Sequence, residues 1–169
     1  MIQKFLFLLL LIPQNVWAKE TAPCIHPKIQ SFIRQVGTWE GTATYLSSKG
    51  TVTRRFNIQT EVRLITNKGI CKYHQKTTFV MPGNVKKFKE LHGEFNEKHQ
   101  LIITSGQMLG YGWQSGDYSL MYLNPTSDPR VNILETTQLL TPNVRIRTHQ
   151  QARNGKLIGM TIFNETKSK

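Results

Sequence analysis

Acidic residues are scarce in this 169-residue chain: 10 Asp and Glu stand against 22 Lys and Arg, a formal net charge of +12. Such an excess favours peripheral attraction to anionic surfaces or an anionic ligand, and it also keeps a protein dispersed. The densest basic clusters, Arg54-Arg55 and Lys86-Lys87-Phe88-Lys89, lack the interleaved aromatics of a base-stacking platform. No nucleic-acid partner is therefore expected. Cysteine is nearly absent. Cys24 and Cys71 form no Cys-x-x-Cys pair, and in an oxidising compartment each has only the other as a disulfide partner. The five histidines (His26, His74, His92, His99, His149) show neither helical i, i+4 spacing nor a His-x-His pattern, and no Gly-x-Ser-x-Gly elbow occurs. On these absences the chain is expected to hold no metal or cofactor and not to be an enzyme.

Long apolar runs are missing too, except at the N terminus. Lys4 followed by FLFLLLLI at 5–12 and Val16-Trp17-Ala18 reads as a signal peptide over residues 1–18. The apolar run is too short to span a bilayer as a stop-transfer helix, so a periplasmic or secreted product without a transmembrane segment is expected. Residues 19–26 read as an extended arm, 27–165 as one domain and 166–169 as a flexible tail.

What the sequence does contain is alternation. Pro27 suits a first helical position, and Ile29, Phe32, Ile33 and Val36 make one apolar stripe up to Gly37. After this short helix, period-two patterning runs to the end of the chain. Phe56, Ile58, Thr60, Val62 and Leu64 share one face; Arg55, Asn57, Gln59, Glu61 and Arg63 share the other. Turn signals such as Asn67-Lys68-Gly69, Pro82-Gly83-Asn84 and Asn154-Gly155 separate about nine or ten short strands. So many consecutive hairpins must close or stack. The expected fold is all-β, an antiparallel up-and-down barrel of about 8–10 strands with the helix closing one end; a two-sheet sandwich is the alternative.

The helix followed by Gly37-Thr38-Trp39-Glu40-Gly41, and the C-terminal hairpin built on Arg145-Ile146-Arg147 and Phe163-Asn164-Glu165, resemble the lipocalin and calycin superfamily. Lipocalin-like bacterial barrels related to nitrobindins and fatty-acid-binding proteins are the nearest in pattern. The resemblance implies structural roles for Gly37, Gly41 and Trp39 at the closed end, with Arg145 or Arg147 over the Trp39 indole. A nitrobindin-like haem site is weakened by the C-terminal stretch Asn164–Lys169, which carries no His.

The pattern implies a small apolar or amphipathic ligand, more anionic than cationic, in the barrel interior. Candidate contacts are Arg54, Phe56, Ile58, Tyr73, Phe79, Glu135 and Arg147. Arg54 is in phase with Phe56 and Ile58, and Glu135 with Ile133 and Thr137, so both are read as inward. Arg145, Arg147 and His149 alternate with Val144, Ile146 and Thr148. Keeping apolar residues inside turns the three basic ones outward; the opposite phase makes an interior basic row. Glu165, like most of the acids, reads as a solvated strand position. An isomerase or hydrolase using Glu135 or a histidine is the enzymatic alternative, and the oligomeric state is left open.

Overall fold

The computed structural model describes residues 24–168. Ten strands form one closed antiparallel barrel in which each pairs with its sequence neighbour and the first pairs with the last. They are β1 (Gly37–Ser47), β2 (Val52–Asn67), β3 (Ile70–Val80), β4 (Lys86–Phe95) and β5 (Leu101–Ser105), then β6 (Met108–Ser115), β7 (Tyr118–Pro125), β8 (Val131–Thr141), β9 (Val144–Arg153) and β10 (Lys156–Lys167). The expected signal peptide and most of the 19–26 arm lie outside the described residues.

Local chemistry explains the hairpins. Asn154 and Gly155 both take positive φ, 51° and 75°, as a two-residue turn compatible with strand twist requires. Burial alternates along the strands, most regularly in β3 and β8, because one face of each fills the interior. β10 extends through Lys167, with Thr166 opposite Glu40 and Lys167 opposite Trp39. Thr166 and Lys167, read as part of a flexible tail over 166–169, thus belong to the strand.

The helix is shorter than its apolar stripe suggests. A 3₁₀ turn (Pro27–Ile29) leads into α1 (Gln30–Ile33), and Gly37 already belongs to β1. Packing and hydrogen bonds hold this single turn. Ile29 and Phe32 are buried in the larger apolar cluster with Val62, Tyr73, Leu101 and Met121. The Ser31 backbone N–H donates to Gln114 Oε1 (2.8 Å), and Gln35 Nε2 donates to Ser119 Oγ (2.7 Å), so the segment is fastened to β6 and β7. Trp39 Nε1 donates to the Gln35 carbonyl (2.7 Å) from a fully buried position. This end of the barrel is shut.

Two glycines are required here. Gly37 has φ +131°, and Gly41 faces Glu165 across the β1–β10 ladder so closely that a Cβ would lie 1.8 Å from the Asn164 carbonyl oxygen. Cys24 and Cys71 form a disulfide, Cα–Cα 5.1 Å, tying the segment before the helix to the start of β3. Among the described residues no helix is long and apolar enough to cross a membrane.

Candidate functional site

The β9–β10 hairpin supplies the unusual part of the interior. Arg145 and Arg147 of β9 point inward and are 0% and 1% exposed. Of the two phases the sequence allows, β9 takes the one that makes an interior basic row. The reason is cross-strand: Arg145 lies opposite Glu165, which is also buried, so β10 supplies the counter-charge that makes the inward phase tolerable.

Arg145 holds Glu165 through Nε–Oε2 (2.9 Å) and Nη2–Oε1 (3.2 Å), and its guanidinium lies 4.3 Å over the Trp39 ring. Arg147 donates from Nε to Glu165 Oε2 (3.3 Å) and from Nη2 to Thr60 Oγ1 (3.1 Å). Its Nη1 lies 3.7 Å from Glu135 Oε2, and its Cζ sits 4.2 Å over Phe163. His149 Nε2 contacts the same Glu135 oxygen. Two arginines and two glutamates, with His149 at the upper edge, make one chain of charge rising from the closed end.

The electrostatics follow from this order. Burial disfavours the charged Glu165 carboxylate, yet Arg147 and Arg145 overcome that and hold its pKa down at about 2. Glu135 is likewise below the usual carboxylate range: burial pushes it up, while His149 and Arg147 more than offset the burial. An ionised Glu135 has only acceptors to offer, so His149 Nε2 is the donor in their contact. Burial lowers Arg145, whereas Arg147, flanked by Glu165 and Glu135, is held above its ordinary value. Burial raises the Tyr73 phenol, whose hydroxyl donates to Gln75 Oε1 (2.7 Å).

Above this network is a cavity of about 60 Å³, room for about two waters. Glu135, His149, Arg147 and Thr161 line its polar side; Phe79, Phe163, Leu91 and Met108 line its apolar side. Glu135 Oε1 is buried without a protein partner. The mouth widens into a vestibule of about 570 Å³ bounded by Arg54, Phe56, Met81, Lys87, Phe88 and Lys89, among others.

The candidate ligand contacts therefore separate. Phe79, Glu135 and Arg147 line the cavity, while Arg54 and Phe56 line the vestibule with Phe79. Ile58 is packed with Ala43 and Phe163, and Tyr73 lies in the closed-end cluster; neither lines the cavity or the vestibule. The inward reading of Arg54 holds only in the sense that it borders the mouth, since the side chain is exposed. Glu165, read as solvated, is an interior residue that single-strand patterns misplace, and His149, whose phase they leave open, lines the cavity.

On the outer wall, His74, Glu90 and His92 bring ligand-type atoms within 4.8 Å of one another. The two imidazoles stack with centroids 4.4 Å apart and 13° between planes. Lone pairs in near-parallel ring planes do not converge on one point, and Lys76 lies 3.6 Å from Glu90. As arranged, the three do not form a ligand set.

No protein-family model matches the sequence, and no curated protein sequence is similar to it. Solved structures share the fold. The chain is similar to a protein of unknown function from the DUF3598 family of Nostoc punctiforme PCC 73102, with 14% identity and a TM-score of 0.64. That match covers 85% of this chain and 51% of the other, so the chain spans about half of that protein's length. It is also similar to the S-type phycobiliprotein lyase CPES of Guillardia theta, with 12% identity and a TM-score of 0.65 over 84% of this chain and 93% of the other. The second likeness corrects the expectation of a non-enzyme: a barrel of this fold carries the name of a lyase, so missing catalytic motifs do not argue against activity.

Proposed function

We propose that this chain is an exported, lipocalin-like barrel that takes up a small amphipathic ligand through its open mouth. The observation that carries this reading is the vestibule and the cavity beneath it, where apolar walls meet a cationic rim and a buried, unpartnered carboxylate oxygen. The cavity by itself is too small for a whole amphiphile. The ligand's body therefore lies in the vestibule against Phe56, Phe79 and Met81, with its anionic group beside Arg54, Lys87 and Lys89. The disulfide supports an oxidising compartment, periplasmic or extracellular.

Displacement of 1-anilinonaphthalene-8-sulfonate by dodecanoate, dodecanol and dodecylamine tests the reading. Dodecanoate should displace the dye best, and replacing Arg54, Lys87 and Lys89 together by Ala should weaken it about tenfold or more while leaving dodecanol unchanged. No displacement by any of the three, or a preference for the amine, would overturn it.

A second reading rests on the contact between His149 and Glu135 beside the cavity. A histidine oriented by a buried carboxylate is a standard means of proton transfer, and the lyase fold neighbour is in keeping with chemistry on the bound ligand. Native mass spectrometry of wild type and His149→Gln, loaded with ligand extracted from the producing cells, would show conversion in the first and not in the second.

A further inference from the structure

Three of the five hairpins at the open mouth are neighbours in the barrel, because β9, β10, β1, β2, β3 and β4 run consecutively around the wall. Their tips carry cations and no acids. The β1–β2 tip has Lys49, Arg54 and Arg55; the β3–β4 tip has Lys86, Lys87 and Lys89; the β9–β10 tip has Arg153 and Lys156. Arg153 is matched by Asp128 at 3.2 Å. The others make no ion pair among the described residues and are exposed.

Apolar side chains stand between these cations. Phe88 is 63% exposed, Val52 and Val85 are more than half exposed, and Leu157 and Ile158 are only slightly less so. The other side of the mouth differs. Gly106 and Gln107 turn β5 into β6 without a charge, and in the β7–β8 connection Asp128 holds Arg130 at 2.9 Å. At the closed end, Glu40, Glu61, Glu94, Glu97 and Asp117 are mixed with the basic residues.

We propose that these three adjacent tips form a docking face for an anionic lipid bilayer, which seats the barrel mouth against the membrane. Charge alone would suit any polyanion, but the interleaved side chains discriminate. Val52, Val85, Leu157 and Ile158 gain from burial at the headgroup–acyl boundary. They gain nothing on a phosphodiester backbone, and a single exposed phenyl ring, Phe88, offers no succession of stacking surfaces for bases. Unpaired cations beside anionic headgroups attract within a Debye length, so the two contributions act in the same place. The docking face shares Arg54, Lys87, Phe88 and Lys89 with the vestibule, whereas Arg55, Lys86 and Lys156 do not line it, so changing these three tests docking apart from ligand uptake.

Sedimentation with phosphatidylcholine vesicles, with and without about 30% phosphatidylserine, tests the proposal. All variants keep the same N terminus, so residues 1–18 contribute equally. Wild type should bind the anionic vesicles at least about tenfold more tightly than the neutral ones, with binding that falls as salt rises. The triple change R55E/K86E/K156E should abolish that preference. V85S/F88S should weaken binding at least about threefold even at low salt, because it removes inserted apolar area. K68E/K98E at the closed end should retain binding, and dodecanoate should still displace the dye from R55E/K86E/K156E. Equal loss in K68E/K98E, no preference for phosphatidylserine, or vesicle binding indifferent to V85S/F88S would each overturn the proposal.

Discussion

Replacing Glu165 by Gln tests the interior network most directly, because the side chain keeps its shape and loses only its charge. In the native barrel Glu165 is the shared acceptor of Arg145 and Arg147, with four contacts between 2.9 and 3.4 Å. Its pKa is held at about 2 against an ordinary 4.5. That difference corresponds to about 3 kcal/mol of stability at neutral pH. Removing one partner of a buried charge pair typically costs about 3–5 kcal/mol, in line with that figure. E165Q leaves two buried guanidinium groups facing a single anion, Glu135. For a domain of this size, the loss is expected to lower Tm by roughly 6–20 °C.

Urea unfolding followed by tryptophan fluorescence or far-UV circular dichroism would measure the effect at pH 7 and at stepped acid pH. The sign of the pH dependence is fixed by the depressed pKa. The stabilisation from Glu165 is fully present above about pH 4.5 and is lost as pH falls towards 2. Wild type should therefore weaken across that window, while E165Q starts lower and falls less steeply. R145M/E165M, which removes one charge of each sign and keeps apolar bulk, should be more stable than E165Q. An E165Q variant within about 1 kcal/mol of wild type at pH 7, or one with the same acid slope, would refute the buried ion-pair account.

Reduction of Cys24–Cys71, whose residues are 47 apart in sequence, should cost about 4 kcal/mol in the chain-entropy model. Melting with and without dithiothreitol checks this, and an unchanged Tm would count against it. Gly41→Ala should destabilise by about 3 kcal/mol or more, because its Cβ meets a carbonyl oxygen of β10 and no flexible side chain can give way. Gly106→Ala, with nothing within 4 Å, serves as the control in the same denaturation assay. Trp39→Phe removes the donor to the Gln35 carbonyl and weakens the stack under Arg145, and should cost about 2 kcal/mol by urea unfolding.

Strand number and order were readable because each strand carries its own signal. Period-two burial in β2, β3 and β8, and turn pairs such as Asn154-Gly155, are local properties of short stretches. The helix was overextended because an apolar stripe over 27–36 says which residues are buried, but not whether the backbone between them stays helical. Glu135 was read as inward because its neighbours Ile133 and Thr137 share its face. For the arginines both phases stay open, and Glu165 reads as solvated, because their placement depends on register. Arg145 opposite Glu165, and Glu135 opposite His149, are facts about pairs of strands. No single strand's pattern contains its partner.

That dependence on register also suggests why a charged layer is kept where an apolar one would serve stability as well or better. Sliding β10 by one residue against β9 would turn Glu165 to the outer wall and replace it with Asn164 or Thr166, leaving Arg145 and Arg147 buried without their common anion. An apolar layer would resist the same slip less, since Ile162, which faces outward in the native register, could occupy an interior position at small cost. The network makes the slipped pairing expensive at the ladder where the barrel is completed, between the last two strands and β1. Closure in one register in turn sets the β9–β10 tip beside the β1–β2 tip. The balanced charges at the closed end thus determine how the unbalanced ones are arrayed at the mouth.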